Sequence, residues 1–208
     1  MAFGRSKRAS QKSAPAAPVT LKILVAGGFG VGKTTLVGAV SEIKPLRTEE
    51  MLTEAGRPVD NTRGVEGKST TTVAMDFGRI TLRDDLVLYL FGTPGQDRFW
   101  FLWDELAQGS LGAVVLVDTR RLEESFAAVD YFERRGIPFT VGVNCFEGAQ
   151  QYAPDTIRDA LDLDAAVPVV LCDARERESA RDVLISVVEH AMRRAAQRDG
   201  ERQPAPAP

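Results

Sequence analysis

The chain has 208 residues, 44% of them hydrophobic, with a formal net charge of −3, two cysteines and one histidine. That length and apolar content suit one α/β core with tails, and the mildly acidic balance leaves no global attraction to nucleic acid, so no nucleic-acid partner is expected. A lone His190 with Cys145 and Cys172 excludes His-based zinc sites, Ser-His-Asp triads and a disulfide framework.

Residues 1–18 carry Arg5, Lys7, Arg8 and Lys12 and no acid. They read as a disordered basic arm, either a solubilising tail or a weak attachment to an acidic membrane or partner. Ala2 breaks the myristoylation pattern, and no cysteine near the C-terminus invites prenylation. Apolar runs such as "LGAVVLV" are too short to span a bilayer and no secretory signal is visible. A cytoplasmic protein is expected, with peripheral association at the inner face of a membrane as an addition to it.

From residue 19 strand-like and helix-like runs alternate. "VTLKILVAG" predicts a strand and "GKTTLVGAVSEI" a helix. After a polar insert from Leu46 to Gly67, "TTVAMDFGRITL" and "LVLYLFG" predict two strands joined at "RDD". "FWFLWDELAQ" is helical, "GAVVLVD" a strand and "RLEESFAAVDYFERR" a helix. "PFTVGVN", "APDTIRDALD", "VPVVLCD" and "SARDVLISVVEHAMRRAAQ" continue as strand, helix, strand and helix. This order predicts a P-loop α/β domain over residues 19–197: a six-stranded, mostly parallel sheet, one strand antiparallel, with helices on both faces. Residues 198–208, "RDGERQPAPAP", read as a disordered tail.

"GGFGVGKT", Gly27 to Thr34, fits G-x-x-x-x-G-K-[ST] between a predicted strand and a predicted helix. Gly27, Gly28, Phe29, Gly30, Val31 and Gly32 would turn backbone N–H groups onto phosphates. Lys33 would neutralise the outer phosphates, Thr34 would offer a hydroxyl to Mg²⁺, and Thr35 follows in the helix's positive N-terminal turn.

"TPGQDRF" looks like the switch II segment of Ras-like small GTPases, usually D-T-A-G-Q-E-R-F. With "GGFGVGKTT", "TTTVAMDFG", "FGTPGQDRFW", "VGVNCFEGA" and "LCDAR", the chain from Leu21 to Met192 resembles small GTPases encoded in bacterial conservon operons, relatives of MglA-type polarity GTPases. The resemblance implies a slow GTP hydrolase that binds GTP/GDP with Mg²⁺ and acts as a signalling switch. It implies a γ-phosphate contact from the Gly95 N–H and a water aimed by Gln96. It makes Thr72, or failing that Thr71, the switch I threonine that ligates Mg²⁺ beside Thr34 and senses the γ-phosphate. A Roadblock/LC7-type protein and a sensor-kinase-like complex are the implied partners. A threonine-rich strand is the plain alternative for Thr72.

Four departures matter. Gly92 replaces the aspartate that opens switch II, so an anchor for metal water is missing and Mg²⁺ is expected to bind weakly. Phe29 stands where a small residue is common and would crowd Gln96 and an incoming arginine; Arg57 and Arg63 are candidates for an arginine supplied in cis. The N-K-x-D motif becomes Asn144-Cys145-Phe146-Glu147. Glu147 can still accept from two donors that guanine has and adenine lacks, so guanine is favoured over no strong base preference. "CDAR" resembles the S-A-K loop and places Ala174 near the base oxygen, flanked by Asp173 and Arg175, whose guanidinium could stack on the base.

Phe99, Trp100, Phe101, Leu102 and Trp103 are consecutive, and five adjacent helical side chains cannot all face one core. The segment is either deeply packed and capped or a partner-binding patch governed by nucleotide. Both cysteines read as small buried fillers. The rivals to a switch are a nucleotide-binding scaffold with negligible hydrolysis and a P-loop kinase for a small molecule.

Overall fold

The computed structural model of the chain describes residues 17–44, 46–53, 70–95 and 100–202, with side chains outside 46–53, 70–74, 100–101 and 201–202. The expected arm, Arg57, Arg63, Gln96 and the end of the C-terminal tail lie outside these residues.

Strand β1 (Val19–Ala26) sends Ile23 and Val25 to one face and Leu24 and Ala26 to the other, all four fully buried. A strand covered on both faces belongs in the middle of a parallel sheet. It pairs in parallel with β4 (Leu86–Gly92) and β5 (Gly112–Val117). With β2 (Leu46–Thr53), β3 (Thr70–Arg83), β6 (Phe139–Asn144) and β7 (Val169–Cys172), the sheet order is β2-β3-β4-β1-β5-β6-β7. Only β3 runs against the rest: it is antiparallel to β4 and to β2, while β1, β4, β5, β6 and β7 pair in parallel.

The six expected strands are all present, with β2 a seventh at the edge. It starts the segment read as a polar insert, pairing from Leu46 opposite Phe77 to Thr53 opposite Thr70. Its sequence, LRTEEMLT, lacks a clean alternation, because an edge strand can be held by backbone bonds to one neighbour.

Helices α1 (Lys33–Val40) and α5 (Arg177–Arg202) cover one face, where Leu36, Val37, Val183 and Val187 meet Val114, Leu116, Leu88 and Leu90. Helices α2 (Trp100–Ala107), α3 (Phe126–Arg135) and α4 (Pro154–Ala160) serve the other face, where Trp103, Phe132 and Ile157 pack with Val115, Val117 and Val141. Helix α1 stops three residues short of the expected end at Ile43. Ser41 turns extended, donates its hydroxyl to the Ile43 carbonyl at 2.7 Å and accepts the Arg79 N–H at 3.2 Å. Helix α5 runs to Arg202, so the first residues of the expected tail are helical; Arg198, Glu201 and Arg202 are good helix formers.

This topology puts the loops after β1, β4, β5, β6 and β7 at the carboxyl end of the parallel strands. Open α/β sheets place their ligands there.

Candidate nucleotide site

The loop between β1 and α1 turns through three glycines at positive φ, Gly27 (133°), Gly30 (72°) and Gly32 (108°). Gly32 is the N-cap of α1, so the helix's free N–H groups open directly onto the loop. Lys33 folds back over it, its Nζ donating to the Gly27 carbonyl at 2.8 Å and the Gly28 carbonyl at 2.7 Å. Burial lowers the Lys33 pKa from 10.5 to about 8, although Asp76 and Glu124 pull the other way. Gly95 closes on the same spot: a Cβ there would lie 2.6 Å from Lys33 Nζ and 3.1 Å from the Gly28 carbonyl oxygen. The loop is braced from outside by Arg121, which donates to the Phe29 carbonyl at 3.1 Å and to Glu124 at 2.9 Å. Phe29 itself stands out from the loop, 69% exposed.

Beside Gly92, where the switch II aspartate is missing, the structure puts another carboxylate. Asp76 is the register partner of Gly92 across β3 and β4, and its Oδ2 accepts the hydroxyl hydrogen bond of Thr34. A Cβ on residue 92 would lie 3.0 Å from Asp76 Cβ and 3.2 Å from its Oδ2. The glycine leaves room for a carboxylate that arrives from the neighbouring strand instead of from β4. Thr34 and Asp76 thus offer a hydroxyl and a carboxylate side by side at the helix N-terminus, oxygen donors of the kind Mg²⁺ takes with waters and phosphates. Among the described residues no cluster of three or more His, Cys, Asp or Glu could hold a metal by itself. Thr72 is not at this spot. It lies in β3 opposite Met51, four residues from Asp76, or about 13 Å at strand rise.

Next to the loop is a cavity of about 310 Å³, lined by Gly30, Gly32 and Thr35 on one side. Arg120, Asn144, Cys145, Phe146, Glu147, Asp173, Ala174 and Arg175 line the rest. The phosphate loop and the loops after β6 and β7, all singled out in the sequence, meet at this cavity. Asn144, 7% exposed, spans two of them: its Nδ2 donates to the Val31 carbonyl at 2.9 Å, and its Oδ1 accepts the Ala174 N–H at 3.1 Å. Glu147 is exposed at the rim. Arg175 is turned onto Asp173, at 2.7 Å from its Oδ2, and these hydrogen bonds lower the Asp173 pKa to about 2. Cys172 is buried, its thiol pushed up to about 12 by desolvation, and Cys145 is half-buried; both are free thiols.

Two residues here escaped sequence reasoning. Arg120 comes from the loop after β5, outside any motif, and Asp76 from the middle of β3, where "TTTVAMDFG" drew attention to its threonines instead. Trp103 answers part of the aromatic-run question. It is 2% exposed, packs against Tyr131 and Phe132, and donates its indole N–H to the Pro94 carbonyl at 3.2 Å. The side chains of Phe99, Trp100 and Phe101 lie outside the described residues, and Leu102 is half-buried.

A family model described as "Conserved hypothetical ATP binding protein" matches residues 25–194. An uncharacterised protein of Methanocaldococcus jannaschii is 31% identical over 126 residues, 60% of this chain and 69% of that protein. Among solved structures, the G domain of the T. maritima FeoB iron transporter matches with a TM-score of 0.58 at 19% identity, over 83% of this chain and 99% of that one. The cytosolic domain of the same transporter, in a GDP form, matches with a TM-score of 0.59 at 19% identity, over 84% of this chain and 64% of that one. The fold is that of P-loop GTPase G domains. No helix among the described residues is long and apolar enough to cross a membrane.

Proposed function

The chain belongs to the family of conserved hypothetical ATP-binding proteins, and from that premise we propose that it is a regulatory P-loop nucleotide hydrolase. It takes GTP/GDP with Mg²⁺ and hydrolyses GTP slowly. The observation that carries the reading is the continuity of the glycine loop, with Lys33 and Thr34, into a base-sized cavity lined by Asn144 and Glu147. A GDP form of the FeoB cytosolic domain, a protein of the same fold, is in keeping with it.

The roles of the loop, Lys33, Thr34, Asp76 and Gly95 draw on position and charge, and those of Gln96 and Thr72 on the resemblance to Ras-like GTPases. Loop N–H groups and Lys33 neutralise the phosphates, and Gly95 brings the switch II-like backbone against Lys33. Mg²⁺, when bound, neutralises developing phosphate charge; Thr34 and Asp76 are the residues that would hold it or its water. Gln96 orients the attacking water, and Thr72 reports on the γ-phosphate after the start of β3 leaves β2. Guanine is favoured because the Glu147 carboxylate can accept two N–H donors together. The finer kinship with conservon-encoded GTPases belongs to this proposal. So do a Roadblock/LC7-type partner at the Phe99–Trp103 segment and peripheral membrane association through partners.

A second reading, an ATP-binding protein, is favoured by the description of the family itself. Calorimetric titration of nucleotide-free protein with GTP, GDP and ATP, with and without Mg²⁺, separates them. Micromolar or tighter guanine binding with ATP silent supports the proposal, and equal ATP binding overturns its base assignment. Phosphate release below the rate of free GTP breakdown, with guanine binding intact, replaces the hydrolase by a scaffold.

A further inference from the structure

In Ras-like proteins the base pocket is covered by the lysine stem of N-K-x-D, and here that position holds Cys145, too short to reach over a ring. A planar cation stands in the same cavity from another part of the chain. Arg120 follows β5 by three residues, on the turn closed by the Arg121 N–H to the Asp118 carbonyl at 2.9 Å. It is fixed there by one buried carboxylate. The Asp118 side chain, 3% exposed, accepts the Arg120 backbone N–H at 3.0 Å, its Nε–H at 2.9 Å and an Nη2–H at 2.7 Å. These bonds orient the guanidinium as well as holding it. Its carbon lies 4.1 Å from the centre of the Phe146 ring, so Phe146 covers one face of the plane. Arg120 also lines the cavity with Asn144, Glu147 and Ala174.

We propose that Arg120, oriented by Asp118 and backed by Phe146, is the stacking cover of the nucleotide base, replacing the lysine that residue 145 lacks. A guanidinium is flat, always charged and weakly hydrated, and it stacks on aromatic faces. A purine fits it as the next layer. The two halves of base recognition are then divided between loops: Arg120 supplies affinity for any purine ring, while Glu147 supplies the discrimination among rings. Asn144 is committed to bracing, both ends of its amide being engaged with the Val31 carbonyl and the Ala174 N–H.

This inference rests on the nucleotide reading of the cavity, and the experiment keeps the two apart. Wild type, Arg120→Ala, Cys145→Lys and the double variant are titrated calorimetrically with GDP and with pyrophosphate, which has no base. Arg120→Ala removes the hydrogen-bonded partner of the buried Asp118 carboxylate and leaves it the Arg121 guanidinium at 3.7 Å, so Asp118→Asn with Arg120→Ala is included to remove both charges. In either background, loss of Arg120 should weaken GDP about five- to thirty-fold and leave pyrophosphate unchanged. Cys145→Lys should restore most of the GDP affinity to Arg120→Ala. Undiminished GDP binding by Arg120→Ala, an equal loss of pyrophosphate in both backgrounds, or no rescue by Cys145→Lys overturns the assignment. Wild type that binds pyrophosphate but gains nothing from the nucleoside of GDP overturns the base-pocket reading itself.

Discussion

In a Gly92→Asp variant the new Cβ would lie 3.0 Å from Asp76 Cβ and 3.2 Å from Asp76 Oδ2. The change restores the switch II motif in sequence while adding a second carboxylate to a space already filled. Two carboxylates about 4 Å apart repel by about 4 kcal/mol at an effective dielectric near 20. Rotation of the new side chain and entry of water reduce this to an expected net cost of about 2 kcal/mol. In a domain of this size 1 kcal/mol moves the melting midpoint by about 2–4 °C, so the metal-free variant should melt about 4–8 °C below wild type. Moving the carboxylate, by combining Asp76→Gly with Gly92→Asp, should recover most of that loss. Mg²⁺ with GDP should stabilise Gly92→Asp more than wild type, because a cation relieves the paired charge. Thermal unfolding of the three proteins, with and without Mg²⁺ and GDP, reads all three effects. If metal-free Gly92→Asp melts with wild type, or the swapped double is no better than the single, Asp76 does not occupy the place assigned to it.

Four further predictions follow from the same geometry. The Lys33 pKa of about 8, against 10.5 for the free side chain, means that folding carries an ammonium into a part-buried site at a cost below pH 8; the cost is relieved between pH 8 and 10.5, where the folded state releases the proton first. Phosphate favours the ammonium, so nucleotide affinity should fall as pH rises through 8, with proton uptake on binding seen by calorimetry in buffers of different ionisation enthalpy; pH-independent binding from 7 to about 9.5 would refute this. Asn144→Ala leaves the Val31 carbonyl and the Ala174 N–H unpaired and should cost about 2–4 kcal/mol in urea unfolding of the nucleotide-free protein. Trp103→Phe keeps most of the packing on Tyr131 and Phe132 but drops the bond to Pro94, for a loss of about 1 kcal/mol by the same assay. A GTP analogue, but not GDP, should speed amide hydrogen exchange at 46–53 and 70–73; equal exchange in both states would remove Thr72 from the sensing role.

The phosphate loop was legible because its chemistry is local: glycines, lysine and threonine lie within eight residues and need no tertiary context. The buried strands were legible for a similar reason. β5 is apolar throughout and β6 is so apart from Thr140 and Asn144, and runs that short and apolar can hide only in a covered sheet. Asp76 was not legible as a site residue. Its meaning depends on antiparallel register with Gly92, sixteen residues away, and a slip of one residue would have pointed its carboxylate to the other face. The gap at residue 92 could be read from the motif, while its filling could not. Arg120 was hidden in the same way, since the missing lysine lies after β6 and the arginine after β5, and these strands meet only in the folded sheet.

The placement of Thr72 decides how such a switch could be balanced. Among the described residues β2 ends the sheet, with β3 as its one neighbour. To bring Thr72 toward Thr34, the β3 residues opposite Glu50, Met51, Leu52 and Thr53 must leave β2. About four backbone hydrogen bonds are exchanged for water at a net cost of about 0.5–1.5 kcal/mol each, or about 2–6 kcal/mol together. The proposed gain is one hydroxyl contact to the metal and one N–H to the γ-phosphate, charge-assisted bonds of about 1.5–3 kcal/mol each, or about 3–6 kcal/mol. Turning a population from 1:99 to 99:1 takes about 5.5 kcal/mol of differential binding. Cost and gain are therefore nearly equal, and the nucleotide alone would shift the segment without committing it. A partner that pairs with the edge freed on β2, or covers the released threonines, would supply the remainder. On this arithmetic the proposed switch would respond more fully to nucleotide and a partner together than to nucleotide alone.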